Sequence, residues 1–284
     1  MTTQAEASRS TDSLRVAALQ MVSATDVDAN LRSAERLIAE AAAGGAQLIA
    51  LPEYFVLLGR NDRDKVAIRE ADGAGPLQSF LAEQAARHGV WLVGGTVPLV
   101  SPHLAKVMNS TLVYAPDGRR LARYDKIHLF GFRRDAEQFD ESATIVAGRS
   151  PVVFDVDAGH GAAARWRVGL SVCYDLRFPE LYRALAPTDL LLVPSAFTYT
   201  TGSAHWEILL RARAIENQCY VLAPAQGGRH ENGRRTWGHT MLIDPWGDVL
   251  GVRDEGEGVV IGDLHRQRLT TVRAGLPALS HRVM

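Results

Sequence analysis

The chain has 284 residues, of which 46% are hydrophobic, and Lys+Arg 31 against Asp+Glu 32 leave a formal net charge of −1. This length can bury a sizeable core, and the balanced charge indicates neither a nucleic-acid partner nor a membrane partner. No apolar run in the sequence reaches the length of a membrane span. The two cysteines, Cys173 and Cys219, are too few for a disulfide framework, and no His/Cys spacing indicates a zinc site.

The first 13 residues are polar and rich in Ser and Thr. Because they lack the apolar segment of a signal peptide, the sequence predicts a flexible tail over residues 1–13 and a cytoplasmic protein. No linker or internal repeat divides the rest of the sequence, so residues 14–284 are predicted to form a single domain.

Strand and helix patterns alternate through the first half of the chain. Apolar runs typical of strands occupy residues 14–21, 47–51, 90–97, 107–114 and 119–124. Amphipathic helices are predicted over 28–43 and 76–88. The strand–helix–strand opening favours parallel pairing and the last two strands favour a hairpin, so a mixed α/β sheet is expected.

The second half of the chain begins with a segment, residues 131–148, that is predicted to be a long structureless loop of the kind that covers a binding site. Further strands are predicted over residues 152–156, 165–172, 190–194 and 219–225. Helices are predicted over 179–186, 203–217 and 264–273, with Ser203 as the N-cap of the second. The predicted buried face of that helix consists of Ala204, Ile208, Leu209, Ala212 and Ile215.

Three reactive side chains stand at the ends of three apolar strands: Glu53, Lys126 and Cys173. Cys173 lies where a buried strand turns into a helix that carries Pro179 in its first turn, a geometry that exposes a nucleophile. A buried lysine beside this thiol is expected to lower its pKa. Taken singly, each residue has a plain alternative: a core thiol for Cys173 and a solvated charge for Glu53 and Lys126. Cys219 is interpreted as core packing.

Two other thiol chemistries lack support in the sequence. A cysteine protease needs a histidine oriented toward the thiol, and the candidates His128 and His239 come with no supporting pattern. A thiol oxidoreductase needs a Cys-x-x-Cys motif, which the sequence lacks. A base, a cation and a thiol at three strand ends instead favour a nucleophilic hydrolase.

Several motifs together resemble one family. They are LPE (51–53), YDKIHLF (124–130), VCYDLRFPEL (172–181), GSAHWE (202–207), RARAIENQ (211–218), WGH (237–239) and DPWG (244–247). In this order they resemble the nitrilase superfamily of carbon–nitrogen hydrolases, in its nitrilase-like amidase branch. The motifs cover nearly the whole chain beyond the tail.

The resemblance implies a fold and a set of catalytic roles. It implies a four-layer αββα sandwich with mixed sheets, a homodimer, and catalysis without a metal or an organic cofactor. Glu53 matches the general base, Lys126 the oxyanion-stabilising lysine and Cys173 the nucleophile. For the second glutamate of the family, Glu141 fits better than Glu137.

The resemblance also implies a small carboxylate-bearing amide as substrate, with water as the second reactant. Deaminated glutathione is preferred, and α-ketoglutaramate, the substrate of ω-amidase, is the alternative. The candidate substrate contacts are Tyr174, Arg177, Phe197, Tyr199 and Thr200.

Arg177 can clamp a carboxylate with its bidentate fork, or it can form a structural ion pair with Glu180 or Glu207. Three other functions stay open: nitrile hydrolysis, N-carbamoyl amino acid hydrolysis, and an inactive scaffold that binds a partner.

Overall fold

The computed structural model describes residues 12–134, 137–159 and 165–283. Most of the predicted tail, residues 1–11, therefore lies outside the described residues. Ser13 already pairs with His265 in a strand, so the first strand begins one residue inside the predicted tail.

The described strands are numbered β1 to β17 in chain order. They are β1 Ser13–Gln20, β2 Leu48–Ala50, β3 Trp91–Val93, β4 Val97–Val100, β5 Val107–Tyr114, β6 Arg120–Asp125, β7 Gly131–Arg134, β8 Glu137–Asp140, β9 Val153–Asp157, β10 Arg165–Leu170, β11 Leu190–Leu192, β12 Tyr220–Ala223, β13 Gly227–Arg229, β14 Arg235–Trp237, β15 Thr240–Ile243, β16 Val249–Arg253 and β17 Gly258–His265.

The described α-helices are numbered in the same way. They are α1 Val27–Ala43, α2 Asp64–Ala67, α3 Pro76–His88, α4 Pro179–Leu185, α5 Tyr199–Asn217 and α6 Arg266–Gly275. Short 3-10 helices cover Glu141–Ala143, Cys173–Arg177 and Ala278–His281. Within the described ranges, no helix is both long enough and apolar enough to cross a bilayer.

Two mixed sheets form the centre of the molecule. The first has seven strands in the order β17-β1-β2-β3-β5-β4, with β6 paired to β5, and its β1, β2 and β3 run parallel. The second has six strands in the order β16-β15-β12-β11-β10-β9, with β10, β11 and β12 parallel. Each sheet therefore has a parallel centre, whose carboxyl ends are the usual place for a ligand site in α/β proteins.

The two sheets pack face to face and carry helices on their outer faces. Along β1 the side chains alternate, so that Val16 and Ala18 face the second sheet while Ala17 and Leu19 face α1 and α3. On the other side, α4 and α5 cover the second sheet through residues such as Leu210. Because both faces of each sheet are buried, the central strands are apolar on both sides. The predicted four-layer αββα sandwich is confirmed.

The segment over residues 131–148 was predicted to be structureless, and that prediction is wrong. Strands β7 and β8 pair in register through Phe132 and Phe139, and the 3-10 helix Glu141–Ala143 follows. Both phenylalanine rings pack against Phe130, at centroid distances of 6.0 and 5.6 Å. Apolar contact between aromatic rings stabilises a hairpin that the short, charged sequence pattern did not reveal.

Helix α5 begins earlier than predicted and buries a different face. Thr198, not Ser203, is the N-cap, because its side chain accepts a hydrogen bond from the Thr201 N–H. Ile208 and Ile215, which were predicted to be buried, are 70% and 49% exposed. The residues that α5 does bury include Trp206, Leu210, Arg213 and Ala214.

Gly95 sets the position of the strand end that carries Glu53. Its backbone φ is +43°, and a Cβ atom there would overlap the carbonyl oxygen of Pro52. Only glycine adopts such a close backbone approach without strain. The sequence signal for this contact is the Gly94-Gly95 pair inside a predicted strand.

We expect Gly95→Ala to lower the free energy of unfolding by about 2–4 kcal/mol, because it combines overpacking with a positive φ. We also expect kcat to fall about 10²-fold, because the Pro52–Glu53 backbone must shift. Urea unfolding and steady-state kinetics measure the two effects. Gly275→Ala is the matched control, since nothing lies within 4 Å of a Cβ atom there. Equal behaviour of the two variants would contradict the prediction.

Candidate active site

The structure brings Glu53, Lys126 and Cys173 together from the ends of three strands. Glu53 follows β2 and Lys126 follows β6, both in the first sheet, whereas Cys173 follows β10 in the second. The Cys173 thiol lies close enough to the Glu53 carboxylate for each group to affect the pKa of the other. The candidate site therefore lies where the two sheets meet, at the carboxyl ends of their parallel strands.

Lys126 is fully buried and is held between two carboxylates. Its Nζ lies 2.9 Å from Oε1 of Glu53 and 2.7 Å from Oε2 of Glu141. Glu141 also accepts hydrogen bonds from the Tyr54 hydroxyl at 2.7 Å and from the Phe130 N–H at 2.7 Å. The glutamate that the resemblance favoured over Glu137 thus lies next to the lysine.

Glu53 is fixed by neutral donors as well as by the lysine. Its Oε1 accepts a hydrogen bond from Nδ2 of Asn109 at 3.0 Å, and its Oε2 accepts one from the Ala196 N–H at 3.1 Å. Its backbone carbonyl accepts a hydrogen bond from Nε2 of Gln226 at 3.1 Å. These donors orient a carboxylate that is only 1% exposed.

Cys173 occupies a strained turn. Its φ of +51° lies in the left-handed region, it starts the 3-10 helix Cys173–Arg177, and its N–H donates to the Pro194 carbonyl at 2.9 Å. Non-glycine residues adopt this conformation rarely, and often at functional sites. The predicted sharp turn after the buried strand is therefore present.

Asp175 connects the turn of the thiol to the segment of the lysine. Its buried carboxylate accepts hydrogen bonds from the Val172 N–H at 2.8 Å, the Tyr124 hydroxyl at 2.6 Å and the His128 N–H at 2.9 Å. Tyr124 and His128 flank Lys126 in sequence. Asp175 thus fixes the nucleophile turn of one sheet relative to the lysine of the other.

The two glutamates have pKa values shifted in opposite directions. Burial raises the pKa of Glu53, although the Lys126 ammonium opposes this effect. Burial also acts to raise the pKa of Glu141, but Lys126 and the hydrogen bonds from the Phe130 N–H and the Tyr54 hydroxyl together outweigh it, so the pKa of Glu141 is lowered. Burial alone would lower the pKa of Lys126, but Glu141 and Glu53 hold it well above its usual value. Such a division favours Glu53 for proton transfer and Glu141 as a permanent counter-charge.

The pKa of the Cys173 thiol is set by burial and by two charged neighbours. Burial and then the Glu53 carboxylate raise the pKa of Cys173 well above its ordinary value, and the opposing effect of Lys126 is smaller. Lys126 does lower the pKa of this thiol, as expected, but burial and Glu53 make the net shift upward. A neutral thiol needs a base at the moment of attack, and Glu53 is in contact with it.

A cavity of about 370 Å³ opens beside these residues, within the usual size range of ligand sites. Glu53, Glu141 and Cys173 line it, together with the predicted contacts Tyr199 and Thr200. The other three predicted contacts line a narrow crevice that also reaches Cys173. These three are Tyr174, Arg177 and Phe197.

Arg177 forms none of the ion pairs that its alternative interpretation required. Within the described residues no carboxylate lies within 4.0 Å of it, and Glu207 pairs with Arg211 instead. The guanidinium stands over the rings of Tyr174 and Phe197, at 5.7 and 5.4 Å from their centroids. Arg177 is thus a half-buried cation beside the thiol.

The two histidines that a cysteine protease would need face other partners. His128 directs its Nδ1 to the Asp175 carboxylate at 2.7 Å and stacks on Phe178. His239 stacks on Trp237, and its Nδ1 lies 3.0 Å from the Trp237 carbonyl. Neither His128 nor His239 is therefore placed to act as the base for Cys173.

The sequence did not reveal four side chains around the site: Tyr54, Asn109, Gln226 and Lys65. Two of them had a usable signal. Asn109 is a polar residue inside the apolar strand β5, and Tyr54 directly follows Glu53. Gln226 directly follows the predicted strand 219–225, next to two glycines, and Lys65 lies in a charged stretch where no local pattern distinguishes it from a surface residue.

Comparison with known proteins agrees with this fold. Residues 15–274 match the family described as carbon-nitrogen hydrolase. The chain is 45% identical over 272 residues to a deaminated glutathione amidase of Synechocystis sp. (strain PCC 6803 / GT-S), covering 94% of this chain and 97% of that protein. It is 36% identical over 265 residues to the chloroplastic omega-amidase of Arabidopsis thaliana, covering 91% of this chain and 69% of that protein.

A solved structure extends the comparison. The crystal structure of Saccharomyces cerevisiae Nit3, a member of branch 10 of the nitrilase superfamily, matches with a TM-score of 0.83 at 28% sequence identity, covering 96% of this chain and 97% of that chain. The chain therefore belongs to the carbon–nitrogen hydrolase family. The Synechocystis and Arabidopsis relatives are both named amidases, and the resemblance to the nitrilase superfamily is confirmed.

We expect Glu53→Gln to lower the pKa of the Cys173 thiol, because the neighbouring negative charge is lost. The thiol should still titrate above an ordinary cysteine, because burial, the larger cause, is unchanged. The same variant should lose about 10²–10⁴ in kcat with the base gone. Thiolate ultraviolet absorbance against pH, corrected with Cys173→Ala, gives the pKa. A thiol pKa equal to or above that of the wild type would contradict this account.

Proposed function

We propose that the chain is a thiol amidohydrolase that cleaves the γ-amide bond of deaminated glutathione. One observation carries the chemistry: the thiol of Cys173 contacts Glu53, and Glu53 shares Lys126 with Glu141 at the wall of one cavity. The substrate rests on the 45% identity to a protein named deaminated glutathione amidase.

In the first half of the reaction, Glu53 accepts the thiol proton as the Cys173 sulfur attacks the amide carbonyl. Glu53 and Glu141 each accept a hydrogen bond from one N–H group of Lys126. The tetrahedral oxyanion accepts a hydrogen bond from the third N–H group. The Tyr174 N–H is the second donor. Each such donor contributes about 10²–10³ in rate. The C–N bond then breaks, and Glu53 returns its proton to the leaving amine.

In the second half, water hydrolyses the thioester. Glu53 accepts a proton from water, the hydroxide attacks the acyl carbon, and the same donors stabilise the second oxyanion. Collapse breaks the C–S bond, and the sulfur takes the proton from Glu53. The products are 2-oxoglutarate and cysteinylglycine.

Glu141 has a different role from Glu53. It balances the buried charge of Lys126 and holds the ammonium in one orientation. Because its pKa is lowered, it stays ionised when Glu53 carries a proton. Lys126 therefore keeps a carboxylate partner throughout the reaction.

The predicted substrate contacts divide between the two cavities. Arg177 offers a bidentate fork to the carboxylate of the 2-oxo acid, between the rings of Tyr174 and Phe197. Tyr199 and Thr200 offer hydroxyl groups to the larger cavity.

Hydrolysis of α-ketoglutaramate is the second candidate activity, and the Arabidopsis omega-amidase relative favours it. Both substrates carry the same acyl group and differ only in the leaving amine. The cytoplasmic location and the absence of a metal or organic cofactor stay predictions.

We expect Cys173→Ala to lose at least about 10³-fold in turnover while its unfolding free energy stays within about 1 kcal/mol of the wild type. Release of 2-oxoglutarate reports both substrates, cysteinylglycine reports deaminated glutathione, and ammonia reports α-ketoglutaramate. Cys219→Ala is the control, because Cys219 is a free core thiol away from both cavities. Turnover by Cys173→Ala at the wild-type rate would exclude the mechanism.

We propose further that the chain forms a homodimer through the exposed face of α5. The apolar residues Ile208 and Ile215 are exposed there, and Trp246, 55% exposed, follows on the turn beside them. The helical spacing of Ile208 and Ile215 predicted, from the sequence, that both side chains are buried. A second copy of the chain would supply that burial.

We expect Ile208→Glu to weaken the dimer about 10²-fold or more, since it buries a charge where an apolar side chain packed. Light scattering during size-exclusion chromatography measures the mass. Leu104→Glu, at an 88% exposed position outside α5, is the control. A wild-type monomer, or an Ile208→Glu dimer as stable as the control, would contradict the proposal.

A further inference from the structure

The large cavity contains a lysine that the mechanism does not use. Lys65 lies on the short helix α2 and lines the cavity together with Glu53, Glu141 and Cys173. Its Nζ stands 5.4 Å from the ring centroid of Tyr54 and donates to Oγ1 of Thr144 at 3.3 Å. The Tyr54 ring thus separates Lys65 from Glu141, whose carboxylate accepts a hydrogen bond from the Tyr54 hydroxyl.

The other charged side chains along the cavity already have partners. Arg234 pairs with Asp62 at 2.7 Å, and Arg235 pairs with Glu255 at 2.7 Å. Glu53 and Glu141 hold Lys126, while Asp140 accepts hydrogen bonds from the N–H and hydroxyl of Ser142.

Lys65 differs from these groups. Within the part of the chain that the structure describes, it has no carboxylate within 4.0 Å. An ammonium carries three donors, and the Thr144 hydroxyl accepts one of them.

Burial lowers the pKa of Lys65, although Asp62 and Glu141 partly offset this. A desolvated ammonium without a close counter-charge is costly, and a ligand carboxylate would relieve that cost. The charge and hydrogen-bonding capacity of Lys65 therefore suit an anionic group of the substrate.

The cavity that contains Lys65 is on the side of the leaving group. Glu53 must deliver a proton to the leaving amine, and Glu53 lines this cavity together with Lys65. Arg177 lies instead in the narrow crevice, which is much smaller than the cavity. The larger cavity has room for a dipeptide. An extended dipeptide spans about 7 Å, enough to pass the Tyr54 ring.

Resting on the function proposed above, we propose that Lys65 binds the C-terminal carboxylate of the leaving cysteinylglycine. Lys65 is then the residue that distinguishes deaminated glutathione from α-ketoglutaramate. Arg177 binds the carboxylate of the 2-oxo acid, which both substrates share. Ammonia, the leaving group of α-ketoglutaramate, carries no carboxylate for Lys65 to bind.

The test compares three substrates: deaminated glutathione, its C-terminal carboxamide and α-ketoglutaramate. We expect Lys65→Met to lower the ratio of kcat/KM for deaminated glutathione to kcat/KM for α-ketoglutaramate about 10- to 100-fold. The wild type should lose a similar factor when the carboxylate becomes a carboxamide, and Lys65→Met should not distinguish those two substrates. Lys65→Arg should restore part of the ratio, and Lys106→Met is the control for the loss of a lysine outside the cavity.

The possible outcomes separate this proposal from the one on which it rests. If Lys65→Met slows both keto-amides equally, or still prefers carboxylate to carboxamide as the wild type does, the assignment of Lys65 is wrong while the proposed function stands. If the wild type hydrolyses neither keto-amide, the proposed function fails and the Lys65 assignment fails with it. Thermal unfolding of each variant confirms that the compared proteins are folded.

Discussion

The site depends on one buried positive charge. Lys126 has no exposed surface, and an isolated ammonium in such a position would cost several kcal/mol. Glu53 and Glu141 offset that cost, and they reach Lys126 from the end of β2 and from the 3-10 helix after β8. Removing Lys126 would leave two buried carboxylates side by side without a counter-charge. The same interaction therefore stabilises the end of the first sheet and sets the protonation states that amide hydrolysis needs.

Asp175 extends that arrangement to the second sheet. Its carboxylate binds the backbone ahead of Cys173 and two residues that flank Lys126. The strained turn at Cys173 is thus held from outside rather than by its own preference. Because nucleophile and lysine belong to different sheets, the packing of the sandwich determines their relative position. The packing of the αββα core therefore also determines the geometry of the site.

Two expectations failed, and a third effect was outweighed by others. The apolar stripe of α5 predicted burial, yet Ile208 faces outward, because periodicity identifies an apolar face without identifying what covers it. The segment after Phe130 looked unstructured, yet contacts among Phe130, Phe132 and Phe139 hold a hairpin. Lys126 lowers the thiol pKa as expected, yet burial and Glu53 together outweigh it. The apolar pattern of a single element therefore shows neither what covers its apolar face nor which rings and charges its residues meet.

The sequence by itself determined the strand ends at which Glu53, Lys126 and Cys173 stand, because buried strands have apolar patterns that polar residues interrupt visibly. It also determined the family, through motifs that extend over nearly the whole chain. Only the tertiary structure decided which side chains meet: Asn109 on Glu53, Tyr54 on Glu141, and Lys65 in the cavity wall without a close carboxylate in the described chain. Such pairings depend on distances between segments far apart in sequence, and local patterns carry no information about those distances.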